Sequence, residues 1–250
     1  GKIEFLGGKP ELVKLGEFDD VDMAMMLHTT SNPDEKKLCI SDTNNGMLAK
    51  RIQFIGRGSH AGGAPHLGIN ALNAATLALS AIHYNRETFR DEDTIRVHPI
   101  MTKGGEAVSA VPSDVRLEWR VRSSNIEAVA RNSVIVDRCF KAGALAVGAS
   151  VKITNIPGYL PMRHDNRLLE LFQQNATDLL GESNVMVMHS LRNRGGSTDM
   201  GDLSHIMPAI HPYTGGASGM GHGADYMIRD YEQAVIRPAK ALAMSVIDLL

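Results

Sequence analysis

Two histidines of this sequence stand where an imidazole could hold a metal ion. His28 follows an apolar run, residues 21–27, which is typical of a strand buried in an α/β sheet. Open α/β sheets place their ligand-binding groups at the carboxyl ends of such strands. His222 lies in the glycine-rich stretch 215–223, where the small side chains let both backbone and imidazole approach a bound group closely.

A third histidine, His60, lies in another glycine-rich stretch, 58–68, between a predicted strand and a predicted helix. A loop held between two rigid elements is a good position for a catalytic group. Each of the three histidines also has a purely structural interpretation. His28 could cap a strand end, the loop around His222 could be a sharp turn, and His60 could belong to the entry of a helix.

Five other histidines show no pattern of partners, and we interpret them as surface or satisfied structural groups: His83, His98, His164, His189 and His205. Neither the Gly-x4-Gly-Lys-Ser/Thr pattern nor Gly-x-Gly-x-x-Gly occurs, so neither a phosphate loop nor a dinucleotide-binding loop is expected.

The elements around His60 predict an inserted domain over residues 47–158. Segments with apolar residues at helical spacing indicate helices, and between them lie segments in which every second residue is apolar, which indicate strands. The predicted order is βαββαβ: strand 49–55, helix 68–84, strands 94–102 and 114–122, helix 125–147 and strand 150–155. This order predicts a ferredoxin-like sandwich, with helices on one face of the sheet and a wetter opposite face.

The segments on either side predict one α/β domain made of two pieces, residues 1–46 and 159–250. The first piece has the strand at 21–27, and the second has a helix at 166–180, a strand at 185–188 and a closing helix at 231–250. The fold class is therefore α/β: a partial α/β domain of the hydrolase type, interrupted by a ferredoxin-like domain.

The composition of the chain limits the classes of binding partner that we expect. A net charge of -2 and a pI near 6.6 provide no basic field, so we expect neither nucleic acid nor a membrane surface as a partner, but a small molecule. Cys39 and Cys139 lie far apart in apolar runs, which indicates two buried thiols and a reducing, cytoplasmic location. No signal peptide or membrane span is predicted from the sequence.

Four stretches together resemble the metal-dependent aminoacylase and carboxypeptidase family. The stretch from Gly58 resembles the signature of that family's lid domain, Gly-x-x-His-Ala/Gly-x-x-Pro-x-x-Gly-x-Asn-Ala, with one residue fewer between Gly58 and His60 and one residue more before Pro65. The other three are residues 18–22 leading to His28, the hairpin 104–112 followed by 120–122, and the segment 195–202 followed by 208–212 and His222. The last of these segments resembles the C-terminal motif of the family branch that includes p-aminobenzoyl-glutamate hydrolases.

The resemblance implies a hydrolase with a pair of divalent metals, zinc or manganese, that activates a water against an amide carbonyl. It implies that His28 and His222 bind metal. It also implies that His60 reaches the active site of a neighbouring subunit and stabilises the developing oxyanion, so we expect a homodimer formed through the lid domain. The expected substrate is an N-acyl amino acid, an aminobenzoyl-glutamate-like compound or a small dipeptide.

The sequence departs from the family pattern at several points. The family's first metal motif and its Glu-Glu pair would precede Gly1, so we expect the chain to lack the N-terminal part, to bind metal weakly and to be inactive alone. Ser109 stands where many relatives have Asn, and Gly201 stands where aminoacylase-like members have Arg. The anchor for a substrate carboxylate is therefore open among three arginines, Arg122, Arg192 and Arg194.

Two further residues are candidates for substrate positioning or for supporting the metal site, Ser197 and Asp199. Asp199 could instead be the N-cap of a short helix. The alternative function is a non-catalytic one, a dimerising or ligand-sensing module. RNA binding by the ferredoxin-like sheet is disfavoured because its strands offer only Phe54 and Trp119 for stacking.

Overall fold

A computed structural model describes residues 7–35, 37–41, 44–188 and 195–250 of the chain. These residues form two compact units. The inserted domain is the continuous stretch Asn45–Tyr159. The second unit, here called the flanking unit, consists of Gly7–Asn44 and Leu160–Leu250, which come together from the two sides of the insertion.

The bounds of the elements in the described residues are as follows. The α-helices are α1 Gly8–Lys14, α2 Ala71–Asn85, α3 Ile126–Ala146, α4 Asn166–Leu180, α5 Met200–Leu203 and α6 Arg237–Leu249, the last preceded by a π-helical turn, Glu232–Ile236. The strands are β1 Ala24–Met25, β2 His28–Thr29, β3 Leu38–Ser41, β4 Gly46–Ile55, β5 Arg96–Lys103, β6 Asp114–Ser123, β7 Ser150–Pro157, β8 Val185–Met188, β9 Ala209–Ile210, β10 Tyr213–Thr214, β11 Ala217–Ser218 and β12 Met227–Ile228.

The inserted domain has the predicted ferredoxin-like architecture. Its four strands form an antiparallel sheet in the order β5-β6-β4-β7, and α2 and α3 cover one face. Alternate residues of β6 are buried against the helices, among them Val115, Leu117 and Trp119, while their neighbours are more exposed. The predicted βαββαβ order and the wetter outer face are confirmed, because alternation along a strand directly reports which face is covered.

Two asparagines begin the helices of this domain. The Asn70 side chain accepts hydrogen bonds from the backbone N–H groups of Leu72 (2.9 Å) and Asn73 (3.1 Å) at the start of α2. Asn125 does the same for Glu127 and Ala128 at the start of α3. Each such cap contributes on the order of 1 kcal/mol to stability. The Asn of the glycine-rich motif is thus a structural residue.

One polar group lies inside this apolar core. The Lys50 side chain is fully buried on the inner face of β4, where its Nζ donates to Asp137 Oδ1 of α3 and to Asn155 Oδ1 of β7, each at 2.7 Å. A buried ammonium is tolerated only when it is paired and hydrogen-bonded, as here. One side chain therefore joins two strands and a helix.

A parallel ladder joins the two pieces of the flanking unit. β1 and β2 pair with β9 and β10 in one constant register, Ala24 opposite Ala209 and Thr29 opposite Thr214. Backbone N–H groups of alternate residues donate to carbonyls across the ladder, from Ala24 to Pro208, Met26 to Ile210, His28 to Pro212 and Thr30 to Thr214. Residues 23–27 are only half-buried rather than buried on both faces as predicted. Among the described residues, β1 and β2 each pair with another strand on one edge only, which leaves the other edge uncovered by a strand.

Beyond that ladder, β10 also pairs with β3, and β3 pairs with β8, so the sheet has the order β2-β10-β3-β8. Leu38 and Ile40 of β3 pack against Phe172 of α4 and Ala241 of α6. Both cysteines are buried thiols, as predicted, Cys39 in β3 and Cys139 in α3. No helix in the described ranges is long and apolar enough to span a membrane.

Candidate metal-binding and catalytic site

His28 lies at the carboxyl end of the parallel ladder, opposite Tyr213 of β10. Its Nδ1 is 2.7 Å from the backbone carbonyl oxygen of Thr29, an acceptor, so the ring proton of the neutral imidazole lies on Nδ1. The Nε2 lone pair is then available to a ligand. A histidine whose Nδ1–H is held by a backbone carbonyl is the usual form of a metal-binding imidazole.

Two rings support His28. The His211 ring is buried, with its centroid 6.1 Å from that of His28, and the Tyr213 ring centroid is 5.4 Å from the His28 centroid. The Asn44 side-chain amide donates to the Tyr213 hydroxyl at 2.8 Å, which fixes that ring. These contacts limit the rotation of the His28 side chain.

His222 lies at the tip of a hairpin formed by β11 and β12. Its backbone adopts the left-handed conformation, with φ of +65°. Such a φ is uncommon for a residue other than glycine, and strained positions of this kind cluster at functional sites. We call residues 219–225 the histidine loop.

His28 and His222 line one cavity of the flanking unit, about 1010 Å³ in volume, which we call the shared cavity. Its lining also includes Thr29, Tyr213, Asp225 and Tyr226. The Thr29 hydroxyl and the Tyr226 hydroxyl form a hydrogen bond at 2.7 Å. Two histidines predicted as metal ligands from separate stretches of sequence thus line one cavity.

The donor set of the shared cavity fits a divalent metal only in part. Two imidazoles suit zinc or manganese, and His28 presents Nε2 in the form that a metal requires. Within the described ranges, no three His, Cys, Asp or Glu side chains come together as a metal site. The two histidines could therefore supply at most part of a coordination sphere.

His60 belongs to the inserted domain, in a turn bridged to the segment that precedes β6. Backbone bonds join Ala61 N to Ser109 O (2.8 Å) and Val111 N to Ser59 O (2.9 Å). The backbone N–H groups of Gly62 and Gly63 donate to His60 Nδ1 at 3.1 and 2.8 Å. The proton of the neutral ring is therefore on Nε2, which leaves His60 as an exposed hydrogen-bond donor.

The remaining motif residues hold this turn in shape. A Cβ on Gly68 would lie 2.6 Å from Ser59 Oγ and 2.9 Å from Val111 Cγ1, so any larger residue would push the turn away from the Ser109 segment. Ala71 is fully buried under the sheet. The small residues Gly68 and Ala71 thus allow the close packing that holds the turn around His60 in place.

The other predicted site residues lie elsewhere. Arg122 is half-buried on β6 of the inserted domain, opposite Met47 and Arg96. In the flanking unit, Ser197 and Asp199 are not among the described residues that line the shared cavity. Arg192 and Arg194 lie outside the described residues.

Asp199 is held by Lys9. The Lys9 Nζ donates to Asp199 Oδ1 at 2.6 Å, and the Lys9 backbone N–H donates to Oδ2 at 3.3 Å. Asp199 does not cap α5 with its side chain; instead the Thr198 hydroxyl accepts from Met200 N at 3.3 Å. Asp199 therefore ties α1 to the start of α5.

Position 201 is closed to any side chain. A Cβ on Gly201 would lie 1.9 Å from the Leu160 carbonyl oxygen, a backbone atom that cannot move aside without local rearrangement. An arginine here, as in the aminoacylase-like pattern, would disrupt the packing of α5. The absence of that arginine has a steric reason in this chain.

The Asp202 carboxyl group should make the stability of the flanking unit depend on pH. Burial and, to a lesser degree, the Asp199 carboxylate raise the pKa of Asp202 to about 6, although Leu160 N donates to its Oδ1 at 3.3 Å. The folded state then holds this proton more tightly than the unfolded chain does. The resulting stabilisation is complete below the ordinary aspartate pKa and is lost as pH rises through about 6.

We therefore expect Asp202→Asn to gain stability relative to the parent protein as the pH rises from about 4 to about 7. The measurement is the difference in free energy of unfolding between the two proteins across that range. A difference that does not change with pH would show that this carboxyl group is not responsible.

Sequence reasoning missed the residues that complete the shared cavity, Tyr213 and Tyr226, and left the role of His211 open. A signal existed for two of them, because His211 and Tyr213 are two positions apart in the segment 209–214 and would share a side of an extended chain. His164 also differs from its prediction. Burial lowers the pKa of His164 to about 4, and neither ring nitrogen has a partner among the described residues.

An α/β unit interrupted by a ferredoxin-like domain, with histidines at a strand end and in a glycine-rich loop, is the architecture of two-domain aminoacylases and peptidases. A model of the M20 peptidase dimerisation domain matches residues 43–142. The mouse Xaa-Arg dipeptidase is 30% identical over 250 residues, which cover 98% of this chain and 56% of that protein. Together these matches support an M20-type aminoacylase family for this chain.

Two other comparisons agree. One of the polypeptides of the Escherichia coli p-aminobenzoyl-glutamate hydrolase is 29% identical over 145 residues, 58% of this chain and 28% of that protein. The crystal structure of an aminobenzoyl-glutamate utilization protein from Klebsiella pneumoniae superposes with a TM-score of 0.70 at 18% identity, covering 94% of this chain and 57% of the other, which supports the fold. The chain spans about half the length of the mouse relative.

Proposed function

We propose that the protein carrying this chain hydrolyses an amide bond with a metal-activated water. The observation that carries this proposal is that His28 and His222, which come from distant parts of the sequence, line one cavity. His28 also presents the ring nitrogen that a metal binds. The family's named hydrolases and dipeptidases support the same reaction class.

The residues of this chain have separate roles in the proposal. His28 and His222 would hold the metal, which when bound would supply a water activated for attack on the amide carbonyl. Rings of His211 and Tyr213 orient His28. The left-handed backbone at His222 helps to set the direction of that side chain.

The inserted domain supplies the third histidine. With Nδ1 occupied by two backbone donors, His60 is fixed as an Nε2–H donor, the form suited to an oxyanion developing on the attacked carbonyl. We propose that it acts in a neighbouring subunit and that the protein is a homodimer joined through the inserted domain. The match to a peptidase dimerisation domain supports this assembly.

The substrate class in the proposal is an N-acyl amino acid, an aminobenzoyl-glutamate-like compound or a small dipeptide. The names of the relatives, an Xaa-Arg dipeptidase and a p-aminobenzoyl-glutamate hydrolase, support the last two. Zinc or manganese is the proposed metal, two per active site in the whole protein. Two buried thiols support a reducing compartment such as the cytoplasm.

The test uses the whole protein and its His222→Ala variant. Metal content would be measured by elemental analysis, and hydrolysis would be followed with an acetylated amino acid, p-aminobenzoyl-glutamate and an Xaa-Arg dipeptide. We expect metal content and activity to fall together in His222→Ala, because that variant loses a ligand. His83→Ala, which removes an exposed histidine from α2, should retain both.

Two outcomes would contradict the proposal. If hydrolysis continued unchanged after chelation, the reaction would not depend on a metal. If the parent protein were inactive on all three substrates with metal supplied, the alternative of a dimerising or ligand-sensing module would be favoured. By the same reasoning, this chain alone should be inactive, since two imidazoles leave most coordination positions to water.

A further inference from the structure

We propose that the Thr29–Tyr226 hydrogen bond is a positioning contact that holds the histidine loop over the end of the His28 strand, and so sets the spacing of the two imidazoles. The inference rests on the proposed function, because it assigns residues to the metal site of that proposal. Neither hydroxyl is offered as a ligand.

The first observation is where the bond lies. Thr29 is the residue next to His28, and Tyr226 follows the histidine loop directly. Their hydroxyls are 2.7 Å apart although the two residues are 197 positions apart in sequence. A single contact therefore links the element that carries one imidazole to the element that carries the other.

The second observation is that the base of the hairpin is closed by backbone hydrogen bonds while its tip is rich in glycine. At the base, Arg229 N and Asp230 N both donate to the Gly216 carbonyl, at 2.8 and 3.0 Å. The tip contains Gly219, Gly221 and Gly223, and the backbone of such a loop has many accessible conformations. A tether at Tyr226 therefore removes freedom where His222 needs to be placed.

The bonds inside the tip shape it without attaching it to the strand. Gly223 N donates to the Met220 carbonyl at 2.7 Å, and Met220 N donates to Asp225 Oδ1 at 3.4 Å. Both bonds run between residues of the histidine loop itself. They keep the turn closed but do not determine its distance from His28.

A role in general stability does not account for the bond. Both Thr29 and Tyr226 are only half-buried, and neither belongs to an apolar core of the flanking unit. Loss of one hydrogen bond at such a position should leave the fold intact. Its effect should appear instead in the position of the histidine loop, and through that loop in metal affinity.

The experiment compares Tyr226→Phe, Thr29→Val and the double variant of the whole protein, with Thr29→Ser as the conservative variant and Tyr231→Phe as a matched control on an exposed ring. Zinc affinity would be measured by competition with a chromophoric chelator. Removing a residue that orients a metal ligand typically weakens metal binding by about 10–100-fold, and we expect about tenfold for each single variant. The double variant should be no weaker than the singles, and Thr29→Ser and Tyr231→Phe should match the parent.

Hydrogen exchange of the loop amides, without metal, is the second measurement. Exchange at residues 219–226 should be faster in Tyr226→Phe and Thr29→Val and unchanged in Thr29→Ser. Additive losses of zinc affinity, or loop exchange equal to the parent in both single variants, would overturn the inference. A parent that binds no zinc would end the metal proposal, and the exchange rates alone would then decide whether the bond positions the loop.

Discussion

His60→Ala in the whole protein should lower kcat at least about a hundredfold while the bound metal stays in place. A preorganised donor to a developing oxyanion typically contributes about 2.7–4 kcal/mol to the transition state. His60 meets the structural condition for such a donor, since Gly62 N and Gly63 N hold its Nδ1 and leave Nε2–H free to donate. The measurement is kcat and KM with a substrate that the parent hydrolyses, together with metal content.

His66 is the internal control for this prediction. It lies six positions away in the same glycine-rich stretch and is also exposed, but it belongs to the short helical turn Pro65–Leu67. His66→Ala should retain nearly full turnover. If His66→Ala abolished activity and His60→Ala did not, the assignment of the motif would be wrong. If His60→Ala lost its metal, that histidine would be a ligand.

The second large effect concerns the buried pair in the inserted domain. Asp137→Ala should lower the free energy of unfolding by about 3–5 kcal/mol, because it leaves the Lys50 ammonium buried with Asn155 as its one remaining partner among the described residues. Lys50→Met should be close to neutral. Methionine fills a similar volume without a charge, and the partly exposed Asp137 can then turn to water. Urea unfolding monitored through Trp119 fluorescence measures both.

A neighbouring ion pair on the opposite face of the same strand provides the comparison. Arg51 and Glu118 lie 4.0 Å apart with both side chains accessible to water. Glu118→Ala should therefore cost less than about 1 kcal/mol, as exposed pairs do. Equal losses in Asp137→Ala and Glu118→Ala would mean that burial does not control the energy of the Lys50 pair.

The inserted domain could be predicted almost completely because its signals are local. Asn125 caps a helix through the two backbone N–H groups that follow it, and the alternation in β6 can be read within ten residues. The π-helical turn at Glu232–Ile236 gave no such signal, because an i to i+5 pattern is not distinguishable from an α-helix by apolar spacing.

The site could be predicted in its histidines and not in their surroundings. Glycine-rich loops and a strand end drew attention to His222 and His28, whose residue types are suited to metal. Tyr226 carries no such signal, and the spacing of Tyr213 from His211 indicates a shared side without indicating which residues that side meets. Only the pairing of β2 with β10 shows that Tyr213 lies beside His28. Cross-strand neighbours are determined by register, which one sequence does not specify between distant strands.

The parallel ladder has a kinetic consequence. Its strands lie on either side of the whole inserted domain, so forming it closes a very long chain segment, whose entropy cost must be met before the contacts made across the ladder repay it. The inserted domain closes only shorter segments and needs nothing from outside itself to complete its core. Folding should therefore proceed from the inserted domain to the ladder. The region around His28 and His222 would then be the last to become ordered during synthesis, and the protein would acquire its binding cavity only after both pieces of the flanking unit have been made.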